Sequence, residues 1–164
     1  MPRSSDAFHA ARITVFGSFH LDLTSDDAFN LFTAAGERLW VPGWSPRILG
    51  SLPQAPGLVF LTGDDADSTI WTVVTSDRVS SLVCYSRVTP GSQAGIVTVT
   101  MNKAAEGCQV TVSYDMTALS SRGAANLHQY SPDRFTTMLG EWQRLITAFL
   151  RKDDARHLLA KILV

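Results

Sequence analysis

The sequence predicts an α+β fold in which a curved, seven-stranded antiparallel sheet wraps around one long C-terminal helix. Seven stretches rich in β-branched and aromatic residues are separated by short turn segments, and short connections join antiparallel neighbours. Apolar residues recur at the helical spacing in a short segment after the first strand and in a long segment near the C-terminus. The predicted order is therefore β-α-α-β-β-β-β-β-β-α, and the last helix must bury its apolar face on the sheet.

The length of 164 residues suits one domain with a single hydrophobic core. We expect residues 1–10, which are mostly polar, to be frayed or disordered. Residues 11–152 are expected to form the domain, and residues 153–164 to form a helical extension of it.

The charge balance argues against nucleic acid as a partner. The net charge is −1, from 14 basic and 15 acidic residues, and Lys and Arg form no cluster. No apolar run approaches the roughly 20 residues that span a bilayer, and the first residues lack the apolar core of a signal peptide. We therefore expect no membrane span and a cytoplasmic location, where Cys84 and Cys108 would be small buried residues rather than a disulfide.

The spacing of apolar residues changes after the first strand, from every second position to every third or fourth, and this change places the strand and the helix that follows. In residues 12–23 alternate positions are apolar, which predicts a strand with Phe19, Leu21 and Leu23 facing inward. Residues 24–36 then have an apolar face at the helical spacing behind an N-cap at Thr24 or Ser25, which predicts a short amphipathic helix. A further single turn begins at residue 36 and ends at Pro42-Gly43.

Six further strands are predicted between residues 45 and 119. Tyr85 and Arg87 share one face of a strand, and Tyr114 shares the inner face of its strand with Met116, so Asp115 points outward. The sequence leaves open which face of strands 69–76 and 82–88 is the inner one. A buried Arg87 would need a carboxylate partner or an anionic ligand. Alternatively, Arg87 lies near a strand end and reaches water.

The long helix begins at Ser131 as N-cap and Pro132 at the first helical position. Its apolar residues recur every three or four positions: Phe135, Met138, Leu139, Trp142, Leu145, Ile146, Phe149 and Leu150. About 20 helical residues span ~30 Å, whereas a helix continued to residue 164 would reach ~50 Å. We therefore expect a break near Asp153 or a partner chain that covers the extra length.

In addition to these local patterns, the sequence resembles the SRPBCC or START-like superfamily over residues 12–151, in a bacterial branch similar to polyketide cyclase and dehydrase-like proteins. The resemblance rests on the order of "HLDLTSDDAFNLFTAAGERLWVPGWSP", "STIWTVVTSD", "YSRVTPGSQAG", "VTVSYDMTAL" and "MLGEWQRLITAFL". It implies the helix-grip fold, with a cavity between the sheet and the C-terminal helix, in a superfamily of carriers, cyclases, aromatases and lipid-transfer domains. The Gly-rich loop of many members is replaced by "GSLPQAPG", so no phosphate-binding role is implied.

The chain contains no HExxH, CxxC pair, GxSxG or P-loop motif, so we name no catalytic residue, no metal site and no cofactor. Among the histidines only His128, in the connector before the long helix, is a candidate at a pocket mouth, and a solvated role is its simpler explanation. Glu141 lies on the flank of the helix and is a poor candidate for a general acid. The candidate ligand-binding residues are Trp44, Trp71, Tyr85, Arg87, Tyr114, Met116, Phe135, Met138 and Trp142.

Two tryptophans flank the break at Pro42-Gly43. Trp40 is predicted to be core, packed against Phe32 and the long helix, whereas Trp44 is the better candidate for the rim of the cavity. The function favoured by these features is binding of a hydrophobic or aromatic small molecule by a carrier or sensor. The alternatives are a cyclase, aromatase or dehydratase-like enzyme, and a protein-interaction module of the chaperone-activator type. The apolar C-terminal segment and the unexplained Gly140 on the polar helix face suggest a homodimer.

Overall fold

One sheet of seven antiparallel strands forms the body of the molecule in our computed structural model, which describes residues 11–51 and 53–162. The strands lie side by side in the order β1-β7-β6-β5-β4-β3-β2, so the first two strands of the chain form the two edges of the sheet. Their bounds are β1 (Arg12–Leu21), β2 (Arg47–Leu49), β3 (Val59–Thr62), β4 (Thr69–Asp77), β5 (Leu82–Thr89), β6 (Gln93–Lys103) and β7 (Cys108–Ala118).

Helical segments lie between β1 and β2 and after β7. They are α1 (Ser25–Leu31), a 3-10 turn (Gly36–Leu39), α2 (Ser121–Asn126), a second 3-10 turn (Leu127–Tyr130), α3 (Pro132–Leu150) and α4 (Ala155–Ala160). The predicted fold class is confirmed: a curved antiparallel sheet, two short helical segments after the first strand and a long helix near the C-terminus. The prediction for residues 1–10 lies outside the described residues.

The alternation of β7 confirms which of its faces is the inner one. Tyr114 and Met116 are buried, whereas Asp115 lies on the outer face and pairs with Arg12 at 2.6 Å. On β5 the buried Tyr85 identifies the inner face, and the period of two places Arg87 on that face too. The sequence left open which face of this strand is the inner one. In the structure it is the face that carries Tyr85 and Arg87.

Helix α3 lies close against β1, because Gly17 provides no side chain at the crossing. A Cβ at Gly17 would stand only 2.7 Å from Cδ1 of Leu139, and the ring of Phe135 lies 3.8 Å from the same point. The flank of α3 that carries Leu139 is thus packed on β1. The opposite flank, with Met138, is only half-buried, although it belongs to the same apolar stripe.

The C-terminal segment folds back instead of extending α3. Helix α3 ends at Leu150, and α4 packs on α1, where Ala155 and Leu159 are buried. Nδ2 of Asn30 in α1 donates a hydrogen bond of 3.2 Å to the carbonyl oxygen of Leu159. Two apolar residues of this segment, Ala155 and Leu159, are therefore covered within the chain itself. No helix among the described residues is long and apolar enough to cross a membrane.

Candidate functional site

The two tryptophans after α1 donate hydrogen bonds through their indole nitrogens, one to the end of that helix and one to the turn that follows it. Nε1 of Trp40 donates to the carbonyl oxygen of Leu31 at 2.8 Å, and Nε1 of Trp44 donates to that of Ala34 at 2.9 Å. The last carbonyl groups of a helix have no partner within the helix, and the bond from Trp40 supplies one for Leu31, whereas Ala34 lies in the turn after α1. These two bonds fix the connector between α1 and β2, residues 32–46, against the end of α1.

The rings of the two tryptophans point to different neighbours. Trp40 is buried and makes edge contacts with Phe32 and with Trp142 of α3, at ring-centroid distances of 6.0 and 5.5 Å. This confirms its prediction as core. Trp44 is half-buried and makes an edge contact with Trp71, at 5.9 Å. Trp44 therefore lies at the boundary of the aromatic cluster on β3 to β5.

The hydroxyl of Tyr85 makes two hydrogen bonds within the protein. It donates to the carbonyl oxygen of Phe32 at 2.7 Å and accepts from Nε2 of Gln54 at 2.9 Å. Burial raises the pKa of Tyr85 well above its ordinary value of 10.0. Tyr85 was predicted to bind a ligand, but its polar atom is committed to the connector after α1, so only its ring is left to form a wall.

Arg87 stands among three aromatic rings on the inner side of the sheet. One terminal nitrogen, Nη1, donates to the hydroxyl of Tyr130. The centre of the guanidinium group lies 5.2 Å from the ring centroid of Trp71, 5.7 Å from that of Tyr130 and 5.9 Å from that of Tyr114. We call these four residues the Arg87 cage. Among the described residues no carboxylate pairs with Arg87, and its buried Nε has no hydrogen-bond partner.

Glu37 places a carboxyl group on the same inner side. Burial raises the pKa of Glu37 from its ordinary value of 4.5 to about 8, and the negative charge of Glu37 raises the pKa of both Tyr85 and Tyr114. Its side chain is nevertheless only half-buried, and no hydrogen bond to it comes from the described residues. The Glu37 carboxyl is therefore partly accessible and lies within electrostatic reach of two inner-face tyrosines.

The hydroxyl of Tyr114 is the third polar group there. Burial raises the pKa of Tyr114 far above its ordinary value of 10.0, and the nearby positive charge of Arg87 acts in the opposite direction. No described residue forms a hydrogen bond with this hydroxyl, unlike that of Tyr85. Tyr114 therefore lies within electrostatic reach of both Arg87 and Glu37, among aromatic side chains.

The remaining predicted residues divide into two groups. Met116 and Phe135 are completely or almost completely enclosed by neighbouring side chains, so the structure leaves them no surface for a ligand to touch. Met138 and Trp142 are half-buried on α3 and Trp71 lines the Arg87 cage, with its Nε1 donating to Oγ1 of Thr62 at 2.9 Å. A position on an inner face therefore does not by itself leave a side chain accessible.

Three residues of the site, Glu37, Gln54 and Tyr130, were not predicted from the sequence. One signal could have found Glu37: it lies three positions before Trp40 on a helical turn, and residues so spaced share a face. If Trp40 is core, the carboxyl of Glu37 must point in as well. His128, the candidate in the connector, is exposed. Within the described ranges no three His, Cys, Asp or Glu side chains come together to hold a metal ion.

A separate surface cavity of about 810 Å³ lies at the other end of α1. Its lining combines basic and acidic groups, among them Lys103, Arg156, Asp27 and Glu106. None of the predicted site residues lines it, and its charges nearly balance. We therefore place the candidate site in the interior, at Glu37, Arg87 and Tyr114.

The sequence matches no protein-family model and no curated protein sequence. Its structure is similar to norcoclaurine synthase from Thalictrum flavum in complex with dopamine and hydroxybenzaldehyde, with a TM-score of 0.61 at 11% identity, over 88% of this chain and 90% of that one. It is also similar to major latex-like protein 151 from Panax ginseng, with a TM-score of 0.63 at 16% identity, over 84% and 96% of the two chains.

A third similar structure is an uncharacterized protein from Rhizobium leguminosarum, with a TM-score of 0.62 at 12% identity, over 85% of this chain and 97% of that one. The plant proteins among these structures belong to the SRPBCC superfamily, so the resemblance identified in the sequence is confirmed as a resemblance of fold. Identities this low establish the helix-grip fold and leave the function to the chemistry of the site.

Proposed function

We propose that the protein binds a hydrophobic or aromatic small molecule between the sheet and α3, as a carrier or sensor. Binding sites for such molecules are concave, have mostly apolar and aromatic walls, and contain a few polar groups that orient the ligand. Trp71, Trp142 and Met138 provide walls of this kind on opposite sides of the interior. The polar groups are the carboxyl of Glu37 and the hydroxyl of Tyr114, which belongs to the Arg87 cage.

One observation carries the proposal: the protein surrounds the polar groups of Glu37 and Tyr114 closely enough to raise their pKa, yet both keep some exposed surface and neither has a hydrogen-bond partner among the described residues. An enclosed polar group without a partner costs free energy, so proteins pair such groups almost everywhere. A bound molecule with matching polar atoms would pair them. The similarity to a synthase structure that holds dopamine and hydroxybenzaldehyde supports an aromatic occupant of modest size.

Mass spectrometry of the purified protein tests the proposal. A lipophilic molecule that remains bound in native spectra, and is released by organic extraction, would support it. Replacing Met138 by Trp should fill the space next to α3 and remove the bound molecule. The control is Thr137→Trp, which adds the same ring at an exposed position of α3 and should leave the molecule in place. Equal retention by both variants would place the ligand elsewhere and contradict the proposal.

A proton-transfer enzyme of the cyclase, aromatase or dehydratase type is the second candidate, and Glu37 is the observation that favours it. With a pKa of about 8, this carboxyl group is protonated at neutral pH and can act as a general acid beside the hydroxyl of Tyr114. A poly-β-keto thioester is a suitable test substrate. Turnover by the wild type that is lost in Glu37→Gln but kept in Glu141→Gln, an exposed control, would favour the enzyme. Unchanged turnover in Glu37→Gln would contradict this role.

A homodimer and a protein-interaction role stay predictions. The apolar C-terminal segment no longer supports them, because Ala155 and Leu159 are covered by α1. Gly140 still supports a homodimer. It lies on the exposed face of α3 with open space around it, where a second subunit has room to approach closely. Sedimentation of the wild type measures the oligomeric state directly. The cytoplasmic location also remains a proposal, supported by the two free cysteines, Cys84 and Cys108, and testable by cell fractionation.

A further inference from the structure

We propose that the ligand carries a carboxylate group, which binds to the guanidinium group of Arg87. The proposal rests on the proposed function, since it names the chemical class of the molecule that the interior binds. It assigns an aromatic or apolar carboxylic acid, with the acid group at the Arg87 cage and the apolar part toward Met138 and Trp142 of α3.

Arg87 leaves most of its donors unpaired. A guanidinium group has five N–H donors in a planar fork, and only one hydrogen bond, to Tyr130, engages it among the described residues. Its Nε is buried without a partner. Arg87 as a whole is half-buried, so part of its fork stays accessible, and a carboxylate can accept two parallel N–H bonds from it.

The rings around Arg87 hold a cation but do not neutralise it. Trp71, Tyr114 and Tyr130 present aromatic rings at 5.2 to 5.9 Å from the guanidinium centre, a distance at which a cation is attracted to the ring electrons. This attraction stabilises the position of Arg87 and leaves its charge at one. The Arg87 cage therefore presents a full positive charge that is surrounded by aromatic rings.

No anion of the described residues competes for Arg87. Glu37 is the acidic side chain that the structure places on this inner side, and it has no ion pair with Arg87. Because burial raises its pKa to about 8, it is largely uncharged at neutral pH and does not repel a bound carboxylate. The hydroxyl of Tyr114, which is free of hydrogen bonds to the described residues, can donate to the same acid group.

A separate buried polar atom points to the same place. Gln93 is 4% exposed, and its Oε1 has no hydrogen-bond partner among the described residues. In the register of β5 and β6, Arg87 is opposite Gly95 and Thr89 is opposite Gln93, so Arg87 and Gln93 are diagonal neighbours on the inner face. At the roughly 7–8 Å that separates diagonal neighbours, a ligand hydroxyl or a water molecule can bridge the unpaired donor and the unpaired acceptor.

A competition experiment with two nearly isosteric probes tests the proposal. The neutral fluorophore N-phenyl-1-naphthylamine reports occupation of the interior, and 2-naphthoate or 2-naphthamide is added as competitor at neutral pH. The two competitors share one ring system and differ in the charge of one group. In the wild type we expect naphthoate to displace the fluorophore at a concentration at least about tenfold lower than naphthamide, as for a charge-assisted pair of hydrogen bonds.

Variants of Arg87 complete the test. Arg87→Gln should abolish the preference for naphthoate, whereas Arg87→Lys, which keeps the charge but not the fork, should retain part of it. The control is Arg134→Gln, an exposed arginine near the start of α3, which should leave the preference unchanged. Thermal melting of each variant checks that it is folded, and the comparison within the wild type needs no variant at all.

The outcomes separate this inference from the proposed function. Binding of the fluorophore with equal displacement by naphthoate and naphthamide in the wild type would overturn the carboxylate assignment and leave the proposed function standing. A preference that persists in folded Arg87→Gln would also overturn it. Failure of the fluorophore to bind the wild type would count against the proposed function, and the carboxylate assignment would fall with it.

Discussion

The hydroxyl of Tyr85 donates a hydrogen bond of 2.7 Å to the carbonyl oxygen of Phe32, and so ties the middle of β5 to the end of α1. Nε2 of Gln54 donates to the same hydroxyl at 2.9 Å. Tyr114, on β7, is equally buried but its hydroxyl has no partner among the described residues. The hydroxyls of two inner-face tyrosines thus differ: one holds the connector in place, and the other makes no hydrogen bond with the described residues.

Replacing Tyr85 by Phe should lower the free energy of unfolding by about 1–2 kcal/mol, because the carbonyl of Phe32 and the amide of Gln54 lose a buried partner. Tyr114→Phe is the matched control, since it removes a hydroxyl that is not bonded to the described residues. It should change stability by less than about 0.5 kcal/mol. Urea unfolding measures both, and equal losses in the two variants would contradict the division of roles.

The half-buried carboxyl of Glu37 should make stability depend on pH. Burial raises its pKa from 4.5 to about 8 in the folded state, so between these values the folded protein binds more protons than the unfolded chain. Stability therefore falls as the pH rises through this window and does not change further above it. We expect the wild type to lose roughly 1–3 kcal/mol relative to Glu37→Gln between about pH 5 and pH 8.

Glu141→Gln provides the control for this pH dependence. Glu141 is exposed, and its hydrogen bond with Arg144 lowers the pKa of its carboxyl group. A lowered folded pKa contributes stability above the ordinary value of 4.5, which is lost as the pH falls. The difference between wild type and Glu141→Gln should therefore stay constant from about pH 5 to pH 8. A constant difference for Glu37→Gln as well would show that its carboxyl is not enclosed.

Substitution of the two tryptophans by Phe should separate structure from binding. Trp40→Phe removes a buried ring from its contacts with Phe32 and Trp142, and we expect a loss of about 2–4 kcal/mol. Trp44→Phe alters a half-buried ring and should cost about 1 kcal/mol. If Trp44 borders the ligand space, its variant should also weaken binding of N-phenyl-1-naphthylamine. Binding that is reduced by Trp40→Phe alone would contradict this assignment.

Alanine substitutions at three glycines should differ in sign and size. A Cβ at Gly95 would lie 2.0 Å from the backbone oxygen of Asp115, which cannot move aside, so we expect a loss of about 3 kcal/mol. At Gly17 the obstacle is the flexible end of Leu139, and the loss should be about 1 kcal/mol. Gly140 has open space around it, so alanine should stabilise α3 by about 1 kcal/mol. Urea unfolding of the three variants measures these changes, and a loss at Gly140 as large as that at Gly95 would contradict them.

The same Gly140→Ala variant bears on the predicted homodimer. Close approach of a second subunit at Gly140 would leave no room for a methyl group. Stabilisation with an unchanged sedimentation coefficient would show that this face is free in solution. A dimer in the wild type that becomes a monomer in the variant would instead assign Gly140 to the interface, and would reverse the expected gain in stability.

Much of the fold was predictable because each element has a local cause. The alternation in residues 12–23, the cap at Thr24 and the spacing from Phe135 to Leu150 depend on the geometry of strands and helices, which neighbouring residues carry by themselves. The fold-back of residues 155–160 onto α1 was not predictable in this way. It depends on a contact between Asn30 and Leu159, which are 129 positions apart.

The order of apolar side chains was enough to specify the strands, the long helix and the face on which Tyr114 lies, since it repeats with periods of 2 and 3.6 residues. Which polar side chains find hydrogen-bond partners inside this fold was decided only by the tertiary structure. Folding commits the hydroxyl of Tyr85 to Phe32, leaves that of Tyr114 unbonded to the described residues and turns Glu37 inward. The reason is physical: partners of a buried polar atom come from distant parts of the chain, and no local pattern encodes them.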